Sequence, residues 1–299
     1  MDRLEHLLKR SVAARFSPFG EEHIAGVDEV LIRLERLAVL EGRTGTSLIE
    51  AETGCAGRKG GSPPRAASTQ LARALAEDVL RACGVDRPEV DVVRSGSGAP
   101  LAVLSDRTRA DALRRAIAGV ALSMSYANAH VAGIALPLMA DVPSAGRGAS
   151  SPAHRVLGVG IDIVPVRDVE DVPGYPEGAV ERLFSAQELR GVDGLELRDV
   201  VIRFARMLAA KEAAFKALGH LQRDGVQLEC VEAFPDVNSD FRDIDIAAVD
   251  TLSPRGVLRG GLAAAVRQSC PDAIELPLAT TYCDGAAAAV ALCITRPRS

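Results

Sequence analysis

A few charged side chains sit where their surroundings make charge expensive, and they are the first candidates for chemistry. Asp162 lies in LGVGIDIV (157–164), where Leu157, Val159, Ile161 and Ile163 alternate with Gly158, Gly160, Asp162 and Val164. This period of two is that of a strand, and it turns Asp162 away from the face with the large aliphatics. Glycines beside it would let another backbone or a ligand come close. Taken alone, such an aspartate could cap a turn or pair with an arginine. Glu212 and Lys216 lie in DVVIRFARMLAAKEAAFKALG (199–219), a helix pattern with Val200, Val201, Phe204, Met207, Leu208, Phe215 and Leu218 along one stripe and Gly219 as its stop. Glu212 falls at the edge of that stripe, where a carboxylate is costly without a partner. Its i,i+4 pairing with Lys216, on an isolated helix, would be a surface ion pair contributing about 0.2–0.5 kcal/mol. Combination with Asp162 is what lifts the pair above that reading.

The elements that must position these residues can be read from the rest of the chain. In FSAQEL (184–189), Ser185 and Glu188 have the S-x-x-E spacing of a capping box, which starts a helix by satisfying its free N–H groups. Two stretches rich in Gly, Ser and Pro, Gly54 to Ser68 and Pro143 to Arg155, break the pattern. The expected organisation is residues 1–68 as a helical extension or degenerate start of a first half, 69–142 as that half, 143–155 as linker and 156–299 as a second half. Residues 2–41 read as helical from mixed three- and four-residue spacing that includes Val30, Leu31, Leu34 and Leu37. A weak internal repeat aligns ALAEDVLRACG (74–84) with the helix ending at Gly219, placing Glu77 on Glu212 and Arg81 on Lys216. Each helix is followed by a strand (89–93; 243–249), a Gly/Pro turn, a short Ala/Arg-rich helix and two apolar stretches (120–136; 276–294). Chance similarity between Ala-rich helices is the plain alternative to duplication. The succession predicts an α+β fold of two related halves, with antiparallel sheets packed against helices.

GxDIV on a strand, F-S-x-x-E-L, and A-x-KEAxxKAxG on a helix, in that order, resemble the signature of 4'-phosphopantetheinyl transferases, above all the short holo-acyl-carrier-protein synthase type. The second half follows a segment ending in S-M-S-Y (123–126), so the layout also resembles the longer surfactin type, whose two similar halves form a pseudo-dimer. The resemblance implies transfer of phosphopantetheine from coenzyme A to a serine of an acyl- or peptidyl-carrier protein. It implies Mg2+ held by Asp162 and Glu212, with Lys216 stabilising phosphate charge and Glu212 or a metal-bound water taking the serine proton. Lys211, also in the motif, is a second candidate phosphate contact, although the helical wheel places it inside the apolar stripe. Ser125 and Tyr126 are candidate coenzyme A contacts, and Arg167, Arg182 and Arg190 candidate docking residues for an acidic carrier protein.

Some positions depart from the pattern. Gly98-Ala99-Pro100 has alanine where the surfactin type has a basic residue, Tyr126 replaces the histidine of S-x-S-H, and Val164 stands at the third carboxylate, as in the synthase type. These losses keep two other readings open: a noncatalytic relative that docks on a carrier protein or synthase, and different chemistry on acyl-carrier substrates. A monomeric pseudo-dimer is expected, with a trimer as the alternative that the synthase type offers.

Composition excludes some classes. Hydrophobic residues make up 47% and charged residues 25% of 299 residues, the balance of a globular protein. A net charge of -5 with no tryptophan speaks against a nucleic-acid partner. The six cysteines form no C-x-x-C pair and the five histidines no zinc-ligand spacing, so the cysteines read as small core residues of a reducing cytoplasm. The N-terminus has no continuous apolar h-region, and no apolar run is long enough for a membrane span.

Overall fold

The computed structural model describes residues 2–16, 30–36, 65–94, 99–127, 130–140, 155–174, 178, 180–223, 226–227, 241–250, 254–270 and 272–296. After the N-terminal helix α1 (Asp2–Phe16) come β1 (Leu31–Arg36), α2 (Arg65–Ala82), β2 (Val90–Arg94), β3 (Pro100–Leu104), α3 (Asp106–Arg114), β4 (Ile117–Ala127) and β5 (His130–Met139). There follow β6 (Arg155–Pro165), α4 (Val180–Leu183), α5 (Ala186–Arg190), α6 (Leu197–Leu218), β7 (Gln222–Arg223), β8 (Val226–Gln227), β9 (Ile244–Ala247), β10 (Arg255–Leu258), α7 (Gly260–Ser269), β11 (Ala273–Cys283) and β12 (Ala286–Arg296). Strand pairing within the sheets is antiparallel throughout, so the fold is α+β as expected. The sheets are β1-β5-β4, β6-β12-β11-β10-β9 and the pairs β2-β3 and β7-β8.

A succession of strand, helix, two paired strands, helix and a closing hairpin occurs in β1 to β5 and again from β6 to β12. In both, the first strand pairs with the last, and the last with the one before it. The helix 2–41 is not found as such. Helix α1 ends at Phe16, and residues 31–36 are a strand paired with β5. The three- and four-residue spacing spanned two separate elements. In LIRLER the physical period is two, with Ile32 in one core and its neighbour Leu31 packed against another. The expected boundary at 68/69 falls inside α2. Residues 143–154 of the expected linker lie outside the described residues, and Arg155 already begins β6.

Three apolar clusters organise the chain. One packs α6 on the face of the second sheet, through Ala210, Ala213, Ala217, Leu278, Ala289 and Ala291 among others. A second holds α2 against the first sheet, through Leu75, Val79, Leu122 and Ala135. The third lies where the sheets meet, joining Ile134 and Leu136 to Ile161, Val290 and Leu292, with Leu4, Leu8 and Val12 of α1 buried among them. Among the described residues no helix is long and apolar enough to cross a membrane.

Candidate active site

The strand β6 and the helix α6 make the site together. A Cβ built on Gly160 would lie 1.8 Å from the carbonyl oxygen of Ala213, and one on Gly158 2.3 Å from that of Ala217. The glycines expected to admit a close backbone therefore admit α6 itself. Asp162, two residues further along the same face, meets the side chains of that helix. Its carboxylate is buried, and Lys216 Nζ donates to Asp162 Oδ1 at 2.6 Å. Glu212 lies close enough to Asp162 for the two carboxylates to interact. Burial, then the charge of Asp162, push the Glu212 pKa up to about 7 against the opposing pull of Lys216. Two carboxylates drawn together beside one ammonium repel each other, and that repulsion is relieved by a proton or a cation.

Lys216 and Lys211 differ sharply. The Lys216 side chain is 32% exposed, and its ammonium also reaches the carbonyls of Met124 and Ile161, both at 3.2 Å. Lys211 has no exposed surface. Its Nζ pairs with Glu188 Oε2 at 2.7 Å and donates to the carbonyls of Phe241 at 3.0 Å and Ile244 at 2.7 Å, so its three protons are committed inside the protein. This corrects the expectation of a phosphate contact from Lys211, and the physical reason is the one its place in the apolar stripe already indicated.

The capping box is present as expected: Ser185 Oγ accepts from the Glu188 N–H and Glu188 Oε2 from the Ser185 N–H. It belongs to a larger buried network. Glu188 Oε1 accepts from the N–H of Ile246, Ser185 Oγ donates to Asp245 Oδ1 at 2.7 Å, and Arg259 bonds Asp245 Oδ2. These contacts fasten α5 to α6 and β9, which fixes the helix that carries Glu212.

From the first half, β4 runs along the open edge of β6. Ser123 Oγ accepts from the N–H of Ile161 and Ser125 Oγ from that of Ile163, each at 3.1 Å. Ser125 is buried and donates its hydroxyl proton to Asp162 Oδ1 at 2.7 Å. This geometry does not match a coenzyme A contact, because the only donor of Ser125 is already used. Tyr126, the next residue, is exposed. His220, one turn beyond Lys216, is also buried and hydrogen-bonds to backbone of Leu122 on β4 and Val159 on β6, while burial drives its pKa down to about 4. Sequence reading passed over Ser123 and His220, for nothing local marks a residue that bridges two strands from different halves. It passed over Arg203 and Arg206 as well. These side chains of α6 share Asp250, and Arg206 also bonds the carbonyl of Val249 and Thr280 Oγ1. Arg182 lies exposed on α4 and Arg190 on α5, while Arg167 lies exposed on the turn after β6, beside Asp168.

The residues fit a magnesium ion. Mg2+ is commonly held by one or two carboxylates, with waters and phosphate oxygens completing the shell. Asp162 and Glu212 would supply that pair, though among the described residues no group of three or more His, Cys, Asp or Glu gathers as a metal site.

Residues 158–259 match the family model described as 4'-phosphopantetheinyl transferase superfamily. The chain is similar to the holo-[acyl-carrier-protein] synthase of Parvibaculum lavamentivorans, 26% identical over 130 residues, covering 43% of this chain and 86% of that protein. It is also similar to that of Clostridium kluyveri, 30% identical over 105 residues, covering 35% of this chain and 66% of the relative. Among solved structures, the ACPS–CoA complex of Chronobacterium ammoniagenes is 23% identical, with a TM-score of 0.39, covering 50% of this chain and all of that one (100%). Residues 158–259 of this chain are thus a domain of the 4'-phosphopantetheinyl transferase superfamily.

Proposed function

We propose that this protein moves 4'-phosphopantetheine from coenzyme A to a serine of an acyl- or peptidyl-carrier protein in a Mg2+-dependent reaction, with the halves related by duplication. The observation that carries the reading is the meeting of Asp162 on β6 with Glu212 and Lys216 of α6, 50 and 54 residues further along the chain, in one partly open cluster. The similarity to holo-[acyl-carrier-protein] synthases supports it.

In this reaction a bond forms between the serine oxygen and the phosphorus that bears pantetheine. The bond from that phosphorus to the bridging oxygen breaks, and adenosine 3',5'-bisphosphate leaves. Bound Mg2+ would supply charge neutralisation at the diphosphate. Asp162 and Glu212 would hold it, and Lys216, whose partly exposed side chain carries its ammonium beside Asp162, would meet phosphate charge that grows in the transition state. Glu212 or a metal-bound water would take the serine proton. The exposed Arg167, Arg182 and Arg190 steer an acidic carrier towards the cluster.

Incubation with Mg2+, a fluorescent coenzyme A analogue and a panel of apo carrier proteins tests the proposal. Label is expected on a carrier serine, with Asp162→Ala and Glu212→Ala each reducing it at least about a hundredfold, the scale of a lost metal ligand or second-shell partner. Carrier binding without any labelling would favour the docking protein instead. Labelling that survives both substitutions would refute the metal assignment.

A further inference from the structure

The first half keeps the framework of the site but not its chemistry. Arg33 on β1 faces Gly133 on β5 as Asp162 on β6 faces Ala289 on β12, each pair standing at the same distance from its hairpin turn. Thus an arginine occupies the place of the aspartate. On α2, Glu77 and Arg81 have the spacing of Glu212 and Lys216, yet they bond each other at 2.7 Å, while Asp78 takes both Arg33 and Arg81 at 2.6 Å. These are surface ion pairs without a second carboxylate free to share a cation. What the first half brings to the chemistry must come from elsewhere, and the edge of β4 is where it touches the site.

Because Ser125 links that edge to the carboxylate itself, we propose that Ser125 is a positioning residue for Asp162, fixing its Oδ1 from the other half of the chain so that Oδ2 is presented to a divalent cation. This rests on the metal assignment proposed above. The serine is held at two points: its oxygen accepts from the N–H of Ile163, and its proton goes to Oδ1 of Asp162. A hydroxyl tied to the backbone of the residue following Asp162 cannot swing without breaking both bonds. Lys216 converges on the same Oδ1 and on the carbonyls of Met124 and Ile161, so its ammonium too is held across the junction of β4 and β6. With Oδ1 engaged by two donors, Oδ2 is the oxygen that neither of them occupies. Ser123 provides an internal contrast, since it accepts the equivalent bond from the Ile161 N–H and, among the described residues, makes no hydrogen bond to Asp162. Neither the spacing of S-M-S-Y nor its resemblance to a coenzyme A motif indicates such a role. It follows from the burial and partners of the side chain.

The test is Mn2+ binding to the full-length protein without substrate, read from the free-Mn2+ electron paramagnetic resonance signal. Ser125→Ala is expected to weaken binding about tenfold or more, the scale of losing a group that orients a metal ligand. Ser123→Ala is expected to stay within about twofold, because it removes a like bond to the same strand without touching Asp162. Ser125→Cys, which fills similar space with a weak donor, is expected to lose most of what alanine loses, and it carries the test if alanine does not fold. In turnover, the Mg2+ concentration needed for half-maximal rate should rise while KM for coenzyme A stays constant. Wild-type Mn2+ affinity in folded Ser125→Ala or Ser125→Cys, equal weakening in Ser123→Ala, or a rise confined to KM for coenzyme A would each overturn the positioning role. Wild-type Mn2+ affinity in both Asp162→Ala and Glu212→Ala would instead defeat the metal assignment on which it rests.

Discussion

Lys211 and Lys216 share one helix and one motif, yet the environment of each ammonium gives it a different task. Removing Lys211 leaves Glu188 as a buried charge without its cation, so Lys211→Met is expected to destabilise the protein by about 3–5 kcal/mol, measured by urea unfolding. Lys216→Met should cost only about 1–2 kcal/mol, since its head is partly solvated, while carrier labelling falls by two or more orders of magnitude. A Lys211→Met protein as stable as wild type would contradict the assignment of a structural ion pair. Glu212 makes a separate prediction. Its raised pKa means that below about pH 7 a bound proton competes with the cation. Mn2+ affinity is therefore expected to drop about tenfold for each pH unit below 7 and to level off above it, whereas a pH-independent Kd would show that metal displaces no proton from Glu212.

At the scale of elements, the site depends on how closely α6 lies on β6. The nearest contacts of Gly158 and Gly160 are with helix backbone, which cannot rotate out of the way as a side chain can. Gly160→Ala is expected to lose about 3 kcal/mol or more in stability, and with it the labelling activity, because the helix must lift off the strand and carry Glu212 away from Asp162. Gly119→Ala on β4, where the added methyl group meets nothing within 4 Å, serves as the comparison and should unfold within a few degrees of wild type. Measured melting temperatures that do not separate the two variants would count against close packing as the device that builds the site. The buried bonds of Glu188, Lys211 and Asp245 hold the other side of α6, so the helix is fixed on both flanks.

For the whole molecule, the junction of the two halves carries a titration signature. His220 resists protonation until about pH 4, so the unfolded chain takes up its proton first and stability falls as pH drops from 6.5 towards 4. Glu212 acts in the opposite sense. The folded state holds its proton below about pH 7, whereas the unfolded chain does so only near 4.5, so its contribution rises as pH falls through that window. The two slopes offset one another in the metal-free protein. Glu212→Gln removes one of them, and its guanidinium unfolding free energy is expected to fall more steeply than that of wild type between pH 6.5 and 4.5. Parallel curves for the two proteins would contradict the raised pKa of Glu212.

Much of the second half was legible because its signals are local. Strand and glycine period around Asp162, the apolar stripe of α6, and the spacing of Ser185 and Glu188 each arise from neighbours in the chain, and the structure reproduces all of them. The same locality explains the misreadings. LIRLER shows no clean helical or strand period until β5 lies beside it, and its pairing partner is about a hundred residues away. Likewise Lys211 carries the same motif credentials as Lys216, and only the packing of Glu188, Phe241 and Ile244 around it turns a candidate phosphate ligand into an internal strut. Residue types and spacing by themselves determined which side chains were costly enough to need a reason. Which of them would meet, which would be sealed from solvent, and that a serine from the other half would grip Asp162, were decided by tertiary contacts, because burial and hydrogen-bond partners are properties of the folded chain alone.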